Sequence, residues 1–368
     1  MNDLEIPYVN LKAQWESEKS ELLPIIESVI SSGTYVGGDV VDGFEDAVAK
    51  YLGVPHCVAL NSGTDALVLG LVALGVKRGD EVITPPNSFI ASTAAVTHLG
   101  ATPVFVDVLS SQSIDPNLVE KAITDKTKAI MPVHLGGRVV DMDRICEIAR
   151  ENNIAVIEDA AQSIGSTFNG QFSGTFGEVG CFSTHPLKNL NAIGDGGFVT
   201  FRDEEMANKV KKLRSHGLVD RNSVEEFGFV SRLDAIQAAI LTFRLKRLEQ
   251  VISRRRKNAA LYRAQLDSSY VFIPEDDQRE RNSYHTFVIQ VERRDELAKH
   301  LTARGIGTAI HYPVPIHMQP ASKSLGYAFG QFPVTEKQSK RILTLPINQF
   351  LSESQINFIA DEVNCFFE

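Results

Sequence analysis

Three separate segments of the 368-residue chain carry side chains that could act together in one site. Lys188 follows Cys181-Phe182-Ser183 and precedes the glycine turn Gly194-Asp195-Gly196-Gly197. The acidic pair Glu158-Asp159 ends an apolar run, and Ser62-Gly63-Thr64 forms a small turn between a predicted strand and a predicted helix. A lysine can hold an aldehyde as a Schiff base, a carboxylate can pair with a protonated ring nitrogen, and N–H groups at a helix start can bind a phosphate. The ordered set therefore predicts a site for pyridoxal 5′-phosphate (PLP).

Each of these residues also has an ordinary structural interpretation. Ser62-Gly63-Thr64 is a common N-cap turn, and Asp159 could cap the helix that follows it. Most lysines lie on the surface, but partial desolvation between these turns would lower the pKa of Lys188 and free its amine for reaction. Glu158 competes with Asp159 for the ring nitrogen, although in an extended strand the two side chains project to opposite sides. Phe89 could stack on a flat ring or pack in a core.

Runs of β-branched residues alternate with helical patterns through the first two thirds of the chain. The expected strands are His56–Leu60, Glu81–Thr84, Pro103–Val106, Ala129–Val133 and Ala155–Ile157. The expected helices are Thr64–Leu74, Ser88–Leu99, Asn117–Ile123 and Asp141–Glu151, the last with Asp141 as N-cap and an inward stripe of Met142, Ile145, Cys146 and Ala149. This alternation predicts a mostly parallel sheet covered by helices on both faces. Ligands of such sheets bind beyond the carboxyl ends of the strands, where the turns described above lie.

A smaller α+β domain is expected after this sheet. It would contain a long helix after Leu233 to about Leu266, a strand at Tyr284–Val291, a helix at Asp295–Ala303, a strand at Gly307–Ile310 and a final helix at Glu353–Phe366. We therefore expect a PLP-binding α/β domain at residues 1–250 and a C-terminal domain at residues 251–368. The basic run Arg254-Arg255-Arg256-Lys257 falls on the long helix, where a solvated face or interface salt bridges are expected rather than nucleic-acid contacts.

Composition argues against several classes of protein. Hydrophobic residues make up 43% and charged residues 23%, as in an ordinary soluble globular protein, and the formal net charge of -9 disfavours nucleic-acid binding. No apolar run reaches membrane-spanning length, and Met1–Glu5 lacks the basic and apolar regions of a signal peptide. The scattered Cys57, Cys146, Cys181 and Cys365 fit buried thiols in a reducing cytoplasm rather than disulfides or metal ligands. We expect a cytoplasmic protein with no metal site and no membrane or nucleic-acid partner.

Taken in order, these motifs resemble those of the DegT/DnrJ/EryC1/StrS family of sugar aminotransferases over nearly the whole chain. The resemblance continues through Arg214-Ser215-His216-Gly217, Ser231–Ala239, Gly305-Ile306-Gly307-Thr308 and His311-Tyr312-Pro313. It implies a PLP enzyme of fold type I, with a mostly parallel central sheet flanked by helices and a smaller C-terminal domain. It also implies a homodimer whose two active sites are shared between the subunits.

The resemblance further implies a role for each matching residue. Lys188 would form the Schiff base with PLP, and Asp159 would contact the ring nitrogen. The other implied contacts are Gln162 with the ring hydroxyl, Phe89 over the ring, Gly63, Thr64 and Ser183 with the phosphate, and His311 and Tyr312 near the substrate. His185 and Arg232 are further candidates for substrate contact.

Two segments depart from the common family pattern. Val230 stands where members commonly have an asparagine that reaches the phosphate in the partner's site, and a valine side chain cannot donate that hydrogen bond. We expect backbone N–H groups of Gly228–Arg232, or the Arg232 guanidinium, to replace it. The segment Thr184-His185-Pro186-Leu187 replaces a commoner aromatic-rich version, so His185 either faces substrate or has a structural role.

The reaction implied is transfer of an amino group from an amino acid, with glutamate as the expected donor, to the keto group of a nucleotide-linked deoxysugar for amino-sugar biosynthesis. An aminotransferase acting on a cyclitol ketone with glutamine as donor is an alternative. A PLP-dependent sugar dehydratase is another, but such enzymes in this family have histidine in place of Lys188. A non-catalytic regulator with this fold is a third, and the intact Lys188 and Asp159 argue against it.

Overall fold

The expected strands of the first two thirds all form in the computed structural model, which describes residues 5–368. Residues 1–4, which carry most of the segment used to argue against a signal peptide, lie outside the described residues. The strands are β1 His56–Leu60, β2 Glu81–Thr84, β3 Thr102–Phe105, β4 Thr127–Ile130, β5 Ala155–Asp159, β6 Thr167–Phe168, β7 Gln171–Phe172, β8 Val179–Ser183, β9 Gly197–Phe201, β10 Glu280–Arg281, β11 Phe287–Gln290 and β12 Ile342–Leu345. The helices are α1 Leu11–Ser32, α2 Asp39–Leu52, α3 Gly63–Ala73, α4 Ile90–His98, α5 Pro116–Lys121, α6 Met142–Asn152, α7 Glu204–Leu213, α8 Ala235–Leu245, α9 Leu248–Gln265, α10 Arg294–Ala303, α11 Pro333–Ser339 and α12 Glu353–Phe367.

Seven strands form the central sheet in the order β1-β9-β8-β5-β4-β2-β3. Neighbours pair in parallel except at β9, which runs antiparallel to both β1 and β8. The expected α/β fold with a mostly parallel sheet is confirmed. Gly197, the first residue of β9, pairs with Leu60 at the end of β1 and with Ser183 at the end of β8. This register brings the turn that follows β1 close to the turn that follows β8, although the two are far apart in the sequence.

The strand β1 shows why helices cover both faces of this sheet. Its alternate residues enter different cores, since Val58 and Leu60 pack with α3 and α7, whereas Cys57 and Ala59 pack with α2 and α8. A strand that is apolar on both sides is stable only if both sides are covered.

Local sequence signals explain several helix starts. Asp141 caps α6 as predicted, because its side chain accepts a hydrogen bond from the Arg144 N–H at 3.3 Å. The buried stripe of α6 contains Met142, Ile145 and Ala149, and Ile148 completes it in place of the half-buried Cys146. Capping and a single apolar stripe are sufficient to define such a surface helix.

The division of the chain at residues 250 and 251 stays a prediction. A separate core forms around α9, α10, α12, β11 and β12, but α9 contributes to two cores. Leu248 and Ile252 pack with the large sheet, and Tyr262 packs in the C-terminal core together with Ile6 from the start of the chain.

Three expectations need correction. The long helix predicted after Leu233 is two helices, α8 and α9, separated at Lys246 and Arg247. Gly307–Ile310 is not a strand, because only Ala309 forms a bridge there, with Thr344. Cys365 is exposed and Cys146 is half-buried, so only two of the four thiols are buried as expected, and all four are free.

Among the helices of residues 5–368, none combines the length and apolar character needed to cross a membrane.

Candidate active site

The carboxyl ends of β1, β2, β5 and β8 open onto a cavity of about 450 Å³. Most of the predicted site residues line this cavity: Gly63, Thr64, Phe89, Asp159, Gln162, Ser183, His185, Lys188, His311 and Tyr312. Arg232 does not line it and is exposed in the single chain. The segments chosen from the sequence are therefore assembled in one place, although the role of each residue stays a prediction.

Close packing between backbone segments shapes one end of the cavity. A Cβ atom added to Gly63 would lie 2.5 Å from the Ser183 Cβ, and one added to Gly197 would lie 2.5 Å from the Ser62 carbonyl carbon. Neither position can therefore carry a side chain without movement of its neighbours. The turn before α3 therefore packs directly against the last residue of β8 and the first residue of β9.

The first turn of α3 leaves two backbone N–H groups available. Ser62 Oγ accepts from the Asp65 N–H at 3.1 Å, and the Ser62 carbonyl oxygen accepts from the Ala66 N–H at 3.1 Å. The preceding N–H groups, those of Gly63 and Thr64, have no partner within residues 5–368. Unpaired N–H groups at the positive end of a helix dipole form an anion-binding site.

Asp159 lies at the end of β5 with its carboxylate in the cavity. Its Oδ2 accepts from Ser92 Oγ at 2.7 Å and its Oδ1 from the Ala161 N–H at 3.2 Å. Burial raises the pKa of this carboxyl, while these two hydrogen bonds and the nearby Lys188 oppose the rise. Within residues 5–368 no ion pair compensates the carboxylate, so it is suited to a cationic ligand group.

Glu158 projects away from the cavity into a different site. Its carboxylate accepts from the N–H groups of Gly174, Phe176 and Gly177 at 2.6 to 2.9 Å and contacts His134 Nε2 at 2.9 Å. These bonds hold the turn before β8 against the sheet. Of the two adjacent carboxylates, only Asp159 is placed to meet a ligand in the cavity.

Lys188 lies in the loop between β8 and β9 and reaches the same cavity. Burial lowers the pKa of its amine to about 8, although the nearby Asp159 carboxylate favours the charged form. Its ammonium group has no ion-pair partner within 4.0 Å among the described residues. An amine with this pKa is neutral in an appreciable fraction of molecules near neutral pH and can act as a nucleophile or proton carrier.

Aromatic and amide side chains form the opposite wall. The rings of Phe89 and Tyr312 lie 5.7 Å apart. Gln162 Oε1 accepts from the Gly136 N–H at 2.7 Å, and Gln162 Nε2 donates to the Tyr312 hydroxyl at 3.2 Å. Burial raises the pKa of Tyr312 to about 12, so this hydroxyl keeps its proton at neutral pH.

Two histidines near Lys188 are held neutral. Burial lowers the pKa of His311 to about 4, and its Nδ1 lies 2.9 Å from Thr344 Oγ1. Burial also takes the pKa of His285 well below its usual value, with further lowering by Lys188 and Arg255. His285 was not predicted from the sequence, because no motif surrounds it.

Arg255 is the main cavity residue that the sequence interpretation placed wrongly. It was expected on a solvated or interfacial face with its basic neighbours, but it is 6% exposed and lines the cavity. The helical period contains the missing signal. Arg255 lies three residues after the buried Ile252 and four before the buried Ala259, and therefore on the inward stripe of α9.

The comparisons with known proteins identify the family of the chain. The DegT/DnrJ/EryC1/StrS aminotransferase family matches residues 16–364. The chain is 39% identical over 368 residues to a protein of Geobacillus stearothermophilus named "Pleiotropic regulatory protein", covering 99% of both chains. It is 41% identical over 360 residues to the dTDP-3-amino-3,4,6-trideoxy-alpha-D-glucose transaminase of Streptomyces venezuelae, covering 97% of this chain and 95% of the relative.

Solved structures give the same result. The crystal structure of S. venezuelae DesV in complex with a ketimine intermediate superposes with a TM-score of 0.97 at 41% identity, covering 99% of both chains. The PLP form of the sugar aminotransferase Spr1654 from Streptococcus pneumoniae has a TM-score of 0.90 at 28% identity, covering 94% of this chain and 95% of that one. The chain therefore belongs to the DegT/DnrJ/EryC1/StrS aminotransferase family.

Proposed function

We propose that this protein uses PLP to transfer an amino group from an amino acid, with L-glutamate as the first donor to test, to the keto group of a nucleotide-linked deoxysugar in amino-sugar biosynthesis. One observation carries the proposal: Lys188 and Asp159 line the same cavity. The amine has a pKa lowered to about 8, and the carboxylate is buried without an ion-pair partner within residues 5–368.

The residues of the cavity fit PLP at both of its polar ends. The unpaired N–H groups of Gly63 and Thr64 and the Ser183 hydroxyl would hold the phosphate. The absence of a Cβ at Gly63 lets this turn pack directly against Ser183, so both lie at the same end of the cavity. At the other end, Asp159 would pair with the protonated ring nitrogen. Gln162 Nε2 is the amide atom available for the ring hydroxyl, since Oε1 accepts the Gly136 N–H.

The protein side chains have distinct tasks in such a reaction. Bound PLP supplies an aldehyde that accepts the amino group and a ring that withdraws electrons from the reacting carbon. Lys188 Nζ can hold or release a proton near pH 8, so the same amine can remove a proton and return it. Asp159 places a fixed negative charge where a cationic ring nitrogen would lie. Phe89 and Tyr312 cover one side of the cavity and orient a flat group against it.

The substrate part of the proposal is supported by the S. venezuelae relative, whose name specifies a dTDP-linked amino sugar. The sugar keto group must reach Lys188, while the bulky nucleotide extends toward the open side of the cavity. His311, Tyr312 and His185 would then lie near the sugar.

A homodimer with shared sites is part of the same proposal. Phe227 is fully exposed, and the neighbouring Phe229 and Val230 are also exposed, which favours a protein contact over solvent. The Val230 carbonyl oxygen accepts from Asn61 Nδ2 at 3.4 Å, so this apolar segment lies beside the turn before α3. From this exposed segment, Arg232 would reach the active site of the partner subunit. The free thiols further support a reducing, cytoplasmic location.

Half-reaction assays test the function. The purified protein is expected to carry the visible absorption of lysine-bound PLP, to lose it on addition of L-glutamate, and to regain it with a nucleotide-linked ketosugar. Conversion only with glutamine and a cyclitol ketone would favour that alternative. A protein that does not bind PLP would favour the regulator, and sugar dehydration without amino transfer would favour the dehydratase.

A further inference from the structure

The guanidinium of Arg255 is a buried charge without an acidic partner. Its Nη1 donates to the carbonyl oxygens of Tyr284 and His285 at 3.1 and 3.2 Å, whereas its buried Nε has no hydrogen-bond partner. No carboxylate of residues 5–368 forms an ion pair with it. Burying an arginine in this state is unfavourable unless an anion joins it.

The other buried arginines of the described residues are compensated. Arg244 donates from Nε and Nη2 to the Glu18 carboxylate at 2.9 and 2.7 Å, and Arg294 pairs with Asp295. Arg255 differs from both because it lines a cavity and has no carboxylate partner within residues 5–368. Burial lowers its pKa only to about 10, so the guanidinium stays charged at neutral pH.

Arg255 lies in the same cavity as Lys188, and the two residues also share a smaller recess beside it with Asn10 and Asn348. Lys188 and Arg255 both act electrostatically on His285, which lines the same cavity. A ligand whose amine reaches the position of Lys188 can therefore present a second, anionic group to Arg255.

We propose that Arg255, with His285 beside it, binds the carboxylate that lies next to the amino group of the amino-acid donor. This inference rests on the proposed function and identifies the donor-recognition residue of that site. The phosphate of PLP would have its own donors at Gly63, Thr64 and Ser183. A planar carboxylate matches the paired N–H donors of a guanidinium, and it supplies the negative charge that Arg255 lacks within residues 5–368.

The test compares Arg255→Gln with Arg256→Gln in the PLP-loaded enzyme. Arg256 is the matched control, because its Nη1 donates to the Asn282 carbonyl oxygen at 3.0 Å and so holds the same backbone segment to α9 without lining the cavity. Arg255→Gln should weaken the apparent Kd for L-glutamate in the first half-reaction by about 30-fold or more. Arg256→Gln should leave it unchanged, and Arg255→Lys should recover part of the loss.

Two further measurements separate recognition from a structural role. In Arg255→Gln, the reaction of the enzyme with a dTDP-linked amino sugar, which has no carboxylate, should keep its wild-type half-saturation concentration. Glutarate, an unreactive dicarboxylate, should bind the wild-type holoenzyme in calorimetry and bind Arg255→Gln at least about tenfold more weakly.

An unchanged Kd for L-glutamate in Arg255→Gln would overturn the inference, as would equal losses for L-glutamate and the amino sugar. Loss of PLP from a folded Arg255→Gln would instead place Arg255 at the cofactor. If Arg255→Gln does not fold, Arg255→Lys decides, since full wild-type affinity for both L-glutamate and glutarate contradicts a bidentate carboxylate contact. Failure of the wild-type enzyme to convert any amino acid would contradict the proposed function, and glutarate binding would still decide the role of Arg255.

Discussion

At the scale of single residues, Glu158 and Asp159 are adjacent in β5 but have different hydrogen-bond partners. Glu158 accepts three backbone N–H groups and contacts His134, whereas Asp159 accepts only Ser92 and one backbone N–H. Alternation along the strand explains why their side chains enter different sites. The fully bonded carboxylate stabilises the fold, and the other remains available for a ligand.

Substitutions at these two positions should therefore have opposite consequences. We expect Glu158→Gln to lower the free energy of unfolding by about 3 kcal/mol, because an amide NH₂ would face buried N–H donors. Asp159→Asn should retain or increase the stability of the apoprotein but lose most of the half-reaction rate. Urea denaturation and single-turnover kinetics measure the two effects. Wild-type rates in Asp159→Asn would contradict the proposal that this carboxylate keeps the ring nitrogen protonated.

Lys188→Ala should abolish turnover while the fold is retained, because in the proposed mechanism its amine would be both the covalent attachment point and the proton carrier. A turnover number near the wild-type value would contradict the mechanism.

The lowered pKa of Lys188 also leads to a prediction that does not depend on activity. Its pKa is about 8 in the folded protein and the ordinary value is 10.5, so between these values the unfolded chain binds more protons. The stability contributed by this group must therefore rise as pH increases from about 8 to 10.5 and level off above it. The difference in unfolding free energy between the wild-type apoprotein and Lys188→Ala should increase in favour of the wild type over that window. A pH-independent difference would mean that the amine is not desolvated.

At the scale of elements, the α3 turn depends on backbone contact with the end of β8. We expect Gly63→Ala to weaken PLP binding by about tenfold or more, because its Cβ would lie 2.5 Å from the Ser183 Cβ and push the α3 turn away from the end of β8. Gly43→Ala is the matched control, since Gly43 lies inside α2 with nothing within 4 Å of an added Cβ. That substitution should stabilise the protein by about 0.5–1 kcal/mol without affecting PLP affinity. Equilibrium dialysis measures the PLP affinity of both variants. Equal PLP affinities would contradict close packing between the α3 turn and the end of β8.

The position of an element could be predicted where a helical spacing of apolar residues and an N-cap residue defined it, as in α6. The break between α8 and α9 was not, because its apolar stripe is continuous: Leu245, Leu248 and Ile252 keep helical spacing across the break and pack in one core. No glycine or proline marks the break in the sequence. The expected strand at Gly307–Ile310 failed for another reason, since Gly307 bonds to Ile6 at the start of the chain instead of extending a sheet.

At the scale of the whole molecule, the sequence motifs predicted most of the residues discussed in the cavity lining but missed Arg255 and His285. Gly63, Asp159 and Lys188 follow strands of a parallel sheet, and their convergence at its carboxyl edge follows from topology alone. Arg255 and His285 come from elements of the C-terminal core, whose position against the sheet has no local signature in the sequence. Tertiary packing decides which of several basic residues enters the cavity.

The proposed dimer follows from the donors that a PLP phosphate would need. Two negative charges are costly to bury, and Gly63, Thr64 and Ser183 would supply only part of the donors needed. Val230 has no side-chain donor, whereas the exposed Arg232 makes no ion pair within residues 5–368. We therefore expect Arg232, or backbone N–H groups of Gly228–Arg232, to reach the partner's phosphate, with the exposed Phe227 in the subunit contact.

Hybrid dimers test this shared site. Arg232→Ala should lower PLP affinity and activity, and Lys188→Ala should be inactive. When the two variants are mixed and allowed to exchange subunits, each hybrid dimer gains one intact site, because Lys188 comes from one subunit and Arg232 from the other. Activity of the mixture should therefore exceed the sum of the two parents, while sedimentation shows dimers throughout. Full activity of Arg232→Ala alone would exclude Arg232 as the compensating donor. A fully active monomer would exclude shared sites altogether, since an isolated chain has no second Gly228–Arg232 segment to complete the phosphate site.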